Sequence, residues 1–502
     1  MTAVAKPLTG AALSEEIWKS IKWKTVEAEV RQLQMRIAKA NREGRHGKVK
    51  ALQWLLTHSY SAKLIAVKWV TQNKGAKTPG VDKIIWQTAR KKLQAAKSLK
   101  RKDYQTLPLR RIYIPKKNGS QRPLSIPPMK CRAMQALHLL ALEPIAENCA
   151  NLNSYGFRPK RSAADAIEQC FKALAKRASS QYIFEADIKS CFDKISHKWL
   201  MDNVPMDKEI LSKWLTAGYI DEGVLYQTEF GTPQGGIASP TLLVITLSGL
   251  ENAVKRATSA RKDKTHISVY ADDFIITGST KEVLEQTVKP VVEAFLNERG
   301  LELSKEKTKI THIDAGFDFL GVNVRKYKGK LIIKPSKKSI KSFLENIRGY
   351  IKLKPMAKTE NLICHLNPKI RGWANYFRHV CAKSTFKYID ECIFKALLQW
   401  IKHRHPNKGK QWQRKKYFRS HKSRNWVFYA KVSKGNDLPI YLDLALMRDT
   451  PIVRHVKIRQ EATPFDPRFM EYFKKRGSKQ NKYKSGSIAA VANYQECSSN
   501  VE

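Results

Sequence analysis

Two adjacent carboxylates, Asp272 and Asp273, interrupt an apolar run that extends from residue 266 to residue 278. Strand-forming residues flank them, with Ile267, Val269 and Tyr270 before and Phe274, Ile275 and Ile276 after. The run therefore reads as a hairpin with Ala271-Asp272-Asp273 at its turn. An Asp pair between strands is commonly no more than a polar turn. Two like charges drawn partly out of water are costly, however, unless a cation compensates them, and that makes a metal site the competing reading. Such a site needs a further carboxylate. Asp187 is the candidate, since it ends the apolar run Tyr182-Ile183-Phe184-Glu185-Ala186 just before a turn. Asp187, Asp272 and Asp273 gathered in one sheet would hold two Mg²⁺ ions, the arrangement that activates a 3′-hydroxyl and stabilises leaving pyrophosphate. Phosphoryl transfer asks the protein mainly for positioning and charge neutralisation, so oxygen ligands with nearby cations suffice. Asp193, six residues on at the start of an expected helix, reads as structural.

Several elements must position such a centre. Residues 109–127 read as two short strands joined by a Lys-Asn-Gly turn, with Lys116 and Arg122 flanking its tip. On an antiparallel ribbon the two cations converge on one anion, Arg as a fork and Lys as a point charge, which suits a triphosphate. Basic hairpins are also common surface features. The block Gly231-Thr232-Pro233-Gln234-Gly235-Gly236 lets backbone approach a ligand closely, and Gln234 can hydrogen-bond a sugar or a base. Ser154 to Ser162 reads as a loop whose aromatics and cations suit either a nucleic-acid strand or a core-and-cap role. The loop from Asn73 to Asp82 fits a phosphate contact and a basic linker equally well. Upstream, Val26, Val30, Leu33 and Ile37, then Val49, Leu52 and Leu56, recur at helical spacing, with Gly44 and Gly47 breaking between them; a third helix spans Ala62 to Val70.

The whole chain of 502 residues has a formal net charge of +49, far beyond what solubility requires, so a polyanionic partner follows. Residues 181–320 carry 16 Lys+Arg and 21 Asp+Glu, whereas residues 321–480 carry 39 and 10. A near-neutral segment holding the acidic residues is thus flanked by strongly basic ones. No long uncharged apolar span indicates a membrane, and no apolar leader of signal-peptide length opens the chain, so the expectation is a cytoplasmic protein associated with ribonucleoprotein and with no membrane partner. Eight cysteines without any Cys-x-x-Cys pair argue against a zinc knuckle or a disulfide framework.

In order, Ile114-Pro115-Lys116 with Arg122-Pro123-Leu124, Tyr155-Gly156-Phe157-Arg158-Pro159, Ala186-Asp187-Ile188 with Phe192-Asp193, Thr232-Pro233-Gln234-Gly235-Gly236 with Ser239-Pro240, and Tyr270-Ala271-Asp272-Asp273 resemble the blocks of reverse transcriptases encoded by group II introns. Glu306-Lys307-Thr308-Lys309 and Gly316-Phe317-Asp318-Phe319-Leu320-Gly321 extend the match. The resemblance implies an α+β right-hand polymerase. Its fingers and palm, with an antiparallel palm sheet, would occupy residues 96–335, behind a helical N-terminal extension over 1–95. It also implies metal binding by Asp187, Asp272 and Asp273, triphosphate binding by Lys116 and Arg122, and a nucleotide pocket bordered by Gln234. Phe192 falls where bulk excludes a 2′-hydroxyl, and Gly316, Phe319, Leu320 and Gly321 fall on the primer grip.

Downstream, Ile340, Phe343, Ile347 and Ile351, then Ile370, Trp373, Phe377 and Val380, then Ile389, Ile393, Leu397 and Trp400 recur at helical spacing and predict a helical thumb. Residues 366–377 resemble the family's maturase domain, so residues 336–424 are expected to be a helical thumb/maturase domain. Lys369, Arg371, Trp373, Asn375 and Arg378 are its expected RNA contacts. Residues 425–480 resemble a DNA-binding segment, and 481–502 read as a tail with no endonuclease domain. His403 and His405 read as a basic surface patch. The implied partners are group II intron RNA, target DNA, an RNA template with its DNA primer, and dNTPs. A splicing-only maturase and a reverse transcriptase serving in defence are the alternatives.

Overall fold

The computed structural model describes residues 10–115, 119, 121–421, 424–432 and 440–482; Lys116 and residues 483–502 of the expected tail lie outside the described residues. Contacts divide the chain into two units. The first holds Met1–Ala166, Tyr182–Ile310 and Ile458–Lys475, and the second holds Ile167–Gln181, Thr311–Lys457 and Arg476–Glu502.

The first unit begins with helices α1 (Gly10–Ser20), α2 (Trp23–Arg42), α3 (His46–His58), α4 (Tyr60–Gln72) and α5 (Ala89–Ser98). Gly47, expected in the break between helices, lies in the first turn of α3. The apolar stripes point inward: Val30 and Ile37 of α2, Val49, Leu52 and Leu56 of α3, and Ala66, Val67 and Val70 of α4 are all buried. Helices α2, α3 and α4 pack on α6 (Met129–Cys149), which is apolar around most of its circumference and buried along most of its length. Pro144 lies inside α6 and has no N–H to give the carbonyl of Leu140 four residues back. The Gln34 side-chain amide donates to that carbonyl instead, at 2.8 Å, which accounts for a buried glutamine in α2. The Asn73–Asp82 loop is pinned to the same helix. Buried Arg132 donates to the carbonyls of Gly75 and Thr78, and a Cβ on Gly80 would lie 2.6 Å from Pro128 Cα.

Two small sheets complete the unit. In the first, β1 (Leu109–Pro115) and β2 (Gln121–Ile126) form the expected hairpin, and β1 pairs in parallel with β4 (Tyr219–Asp221), which pairs with β5 (Val224–Tyr226). In the second, β3 (Tyr182–Asp187) and β6 (His266–Tyr270) flank β7 (Asp273–Gly278), all antiparallel. Phe184, Ile267, Val269, Phe274 and Ile276 are buried in one core cluster with residues of α6 and of the helix Ser239–Thr246, each worth about 1.5–3 kcal/mol relative to exposure.

Residues 458–475 also belong to this unit, so the stretch expected as one DNA-binding segment over 425–480 is divided. The cause is polar: Asp165 accepts the Ile458 N–H at 2.8 Å, Arg161 donates to the Gln460 carbonyl at 2.9 Å, and Arg42 pairs with Asp466 at 2.6 Å.

In the second unit, strands Phe317–Phe319, Val322–Tyr327 and Lys330–Pro335 form an antiparallel sheet, followed by helices Lys337–Leu353, Thr359–Phe377 and Lys383–Arg404. Ile347, Ile351, Ile370, Phe377, Ile389, Ile393, Leu397 and Trp400 are buried, as their spacing requires. The helices do not continue to residue 424. Phe418–His421 is a strand, paired with Arg424–Val432, which pairs in turn with Ile440–Asp443. Buried Asn367 ties this sheet to its helix: its Nδ2 donates to the Asp443 carbonyl and its Oδ1 accepts the Ala445 N–H.

Candidate active site

Period-two alternation carries Asp187 and Asp273 to the ends of β3 and β7, and the register sets them directly opposite each other. Tyr270 opposite Asp273 closes the β6–β7 hairpin, leaving Ala271-Asp272 as its two-residue turn. Ala271 has φ +59°, the left-handed conformation that a two-residue hairpin turn takes at its first position. Residues 153–156 pack against it. Val269 exchanges backbone hydrogen bonds with Asn153 and Tyr155, and Gly156 lies so close that a Cβ there would sit 2.2 Å from Ala271 N. Backbone thus packs on backbone beneath the acidic turn. Sequence reading placed Gly156 in a loop without detecting this, because the contact spans more than a hundred residues.

The electrostatics are those of crowded anions. Partial burial, then the charges of Asp272 and Asp187, push the Asp273 carboxyl up to about 6. Its outer edge is solvent-exposed, so the shift reflects protein packed around its other sides. Lys307 supplies the nearest positive charge, with Nζ 2.8 Å from Asp187 Oδ2, and its hydrogen bond to Asp187 raises the lysine above its usual range. Burial and the charges of Asp272, Asp187 and Asp193 likewise push the Cys191 thiol up. Among the described residues no three His, Cys, Asp or Glu side chains already stand as a metal cage. The site is instead a triad of carboxylates with one exposed lysine as counter-charge. That donor set fits a divalent cation, since the three carboxylates outnumber Lys307, the cation paired with Asp187 among the described residues.

Beside the triad a polar relay joins residues from three elements. Arg122 Nε donates to Gln234 Oε1 at 3.0 Å, and Gln234 Nε2 donates to Asp193 Oδ2 at 2.9 Å. The Gln234 carbonyl accepts the Ser125 N–H at 2.7 Å, and Gly235, at φ +110°, leaves no room for a Cβ against the Ser125 carbonyl. Arg122 and Gln234 are therefore brought together, and Asp193 joins them as a partner of Gln234. Phe192 is half-buried, its ring edge-on to Phe157 at 6.2 Å. Its carbonyl accepts the Thr232 N–H, and a Cβ on Gly231 would lie 2.5 Å from the same oxygen.

In the second unit, Leu320 (φ +49°) and Gly321 (φ +78°) form a tight turn between two strands. Tyr376 Oη donates to the Leu320 carbonyl at 2.9 Å, and Ser336 N and Ser339 Oγ donate to the Gly321 carbonyl. Gly316 (φ +80°) approaches the Arg325 side chain, Phe319 is buried and Leu320 is half-buried. Arg371, Asn375 and Arg378 follow helical spacing along one face, and Lys369 donates to Asn346 beside the Tyr350 ring. Trp373 is half-buried, and its ring packs on Phe377, Phe343 and Phe386. A basic aromatic group went undetected. Lys408 and Lys416 bracket exposed Trp412, and Arg414 lies 4.5 Å from exposed Trp426. Lysines four residues either side of Trp412 were the signal available for it.

Residues 114–324 match the family described as reverse transcriptase (RNA-dependent DNA polymerase), residues 18–99 the N-terminal domain of reverse transcriptase, and residues 340–418 the group II intron maturase-specific domain. Protein YkfC of Escherichia coli K12 is 33% identical over 300 residues, covering 51% of this chain and 78% of YkfC. The group II intron-encoded protein LtrA of Lactococcus lactis is 30% identical over 328 residues, covering 52% of this chain and 54% of LtrA. A 91 kDa protein in the cob intron of Schizosaccharomyces pombe is 27% identical over 439 residues, covering 66% of this chain and 52% of that protein. The chain therefore spans about half the length of the last two.

Proposed function

The chain belongs to the reverse transcriptase/maturases encoded by group II introns, and on that premise we propose that it copies its host intron RNA into DNA during retrohoming and assists the splicing of that RNA. The observation that carries the polymerase half is the register of Asp187 opposite Asp273 with Asp272 in the adjoining turn. Asp187, Asp272 and Asp273 would hold two Mg²⁺ ions, whose charge assists attack by a primer 3′-hydroxyl and the departure of pyrophosphate. Arg122, with Lys116, grips the triphosphate of the incoming dNTP. Gln234 orients Arg122 through one end of its amide and is itself held by Asp193 through the other. Phe192 fills the space a 2′-hydroxyl would need, braced by Phe157.

The maturase half rests on the basic surface of the second unit: Lys369, Arg371 and Asn375, with the partly buried Arg378 beside them, and Trp412 and Trp426 interleaved among cations. Structured RNA is held chiefly through phosphates, 2′-hydroxyls and stacked bases, which such a surface supplies. We assign residues 1–95 to an N-terminal extension, 96–335 to fingers and palm, and 336–424 to the thumb/maturase region. Contact with target DNA would fall to residues 425–480. Among the described residues no helix is long and apolar enough to cross a membrane.

Extension of a DNA primer on an RNA template with Mg²⁺ and dNTPs tests the first half against D272A/D273A, which should be inactive; equal extension by both would overturn it. The second half expects that the same double variant still promotes intron splicing at low Mg²⁺, whereas R371E/R378E does not.

A further inference from the structure

A cavity of about 930 Å³ opens in the first unit among α3, α6 and the segments near residues 99–102 and 205–209, sharing no lining residue with the carboxylate site. Its floor is apolar and buried: Val49, Leu99, Met134, Leu137 and Ala141. On one wall, Trp54 and His58, a helical turn apart on α3, stack ring on ring at 4.2 Å and 22°. Trp54 is 58% exposed, so this aromatic platform remains open to a ligand.

The rim is cationic. Lys50, Lys63, Lys100 and Lys102 line it, together with Lys208, whose ammonium donates to the Met201 and Val204 carbonyls. The two rim carboxylates are already matched by two other cations: Arg101 pairs with Asp207 and Glu209, at 2.5 and 2.7 Å, and Lys213 pairs with Glu209 at 2.8 Å. Burial, then the charge of Lys100, hold Lys63 below the ordinary lysine range, and burial, with Lys50 adding to it, does the same for Lys208. Positive charges thus crowd one another around the opening. An apolar floor, an open aromatic face and clustered ammonium groups suit a flat heteroaromatic body carrying a phosphate. Asn41 of α2 and Gln53 of α3 also line the cavity, the Gln53 amide nitrogen donating to the Pro205 carbonyl at 2.9 Å.

We propose that this cavity is a nucleotide-binding site, in which the Trp54–His58 platform stacks a nucleobase and the rim lysines hold its phosphate. The nucleotide is either a free mononucleotide or an unpaired residue of an RNA strand. The site is separate from the polymerase centre, so its occupancy does not depend on divalent metal.

Calorimetric titration of the full chain in EDTA, with adenosine 5′-monophosphate and with a five-nucleotide single-stranded RNA, tests the proposal. Trp54→Leu should weaken binding about tenfold, and Lys100→Gln/Lys102→Gln should weaken it and reduce its salt dependence. Both variants should keep wild-type primer extension, and their melting profiles establish that they fold; should W54L fail to fold, the lysine variant decides. Loss of mononucleotide binding in the variants identifies a free nucleotide, and loss confined to the oligonucleotide identifies an RNA residue. The proposal is overturned if neither ligand distinguishes wild type from the variants, or if decanoate binds the cavity and adenosine monophosphate does not.

Discussion

Lys307 and Asp187 form an ion pair, Nζ to Oδ2 at 2.8 Å, at the edge of a site where three carboxylates meet. The lysine is 66% exposed, so it is a counter-charge that a cation or substrate can displace at small cost. Lys307→Gln should therefore bind Mn²⁺ more tightly than the wild type by a factor of about 3 to 10, as one nearby positive charge is removed from a solvated site. Electron paramagnetic resonance of free Mn²⁺ in a titration measures it, and unchanged or weaker binding would show that the pair does not compete with metal.

Gly156→Ala places a methyl group where Ala271 N already lies 2.2 Å away. Neither side can yield cheaply, because both are backbone. The variant should lose about 1–3 kcal/mol of stability and at least about a hundredfold in primer extension, since the displaced turn carries Asp272. Near-wild-type extension by a folded G156A would mean that the hairpin tolerates movement.

The crowding of Asp273 has a definite sign. Its folded-state value, about 6, lies above the ordinary 3.8, so the ionised side chain costs stability above pH 6 and costs none once it is protonated in both states. In EDTA, Asp273→Asn should melt above the wild type near about pH 8. The gap should close as the pH falls through 6 and vanish near about 4. A gap that widens on acidification would reverse the assignment of strain to this carboxylate.

Phe157 meets Phe192 edge-on. Removing that support should let the Phe192 ring move, so Phe157→Leu should incorporate ribonucleotides more readily than the wild type, and Phe192→Val more readily still. Competition between dNTPs and NTPs in single-nucleotide extension reads the ratio; identical ratios in all three proteins would remove the brace.

Arg158 and Glu147 make a buried ion pair at 2.6 Å, both side chains less than a twentieth exposed. Glu147→Ala strands a guanidinium in the interior and should cost about 3–5 kcal/mol, measurable by urea unfolding. A loss below 1 kcal/mol, roughly that of a surface pair, would indicate that Arg158 finds another partner.

Local patterns made much of this legible. Alternating apolar residues announced β3, β6 and β7, and they placed Asp187, Asp272 and Asp273 at strand ends, where residues opposite one another can meet. The helical stripes of the second unit were equally plain in their spacing. Other features depend on contacts that no window of sequence contains. Asp193 looked structural because its link to Gln234 crosses 41 residues, and Gly156 looked like an ordinary loop glycine because Ala271 is 115 residues away. Trp373 was counted for both core and surface, and it is half-buried among three aromatic neighbours that lie on three different helical turns. The strands after residue 417 were hidden by the density of charge around them, since basic residues dilute the alternation that marks a strand.

The return of residues 458–475 to the first unit bears on how the protein is made. Asp165 is fully buried, and one of its hydrogen bonds comes from the backbone of Ile458; Arg31, Arg42 and Arg161 also find partners beyond residue 459. During translation these groups keep water as their partner until nearly three hundred residues beyond Asp165 have left the ribosome. The final consolidation of the unit carrying the carboxylates is therefore late, and the second unit has emerged almost entirely before the first can close.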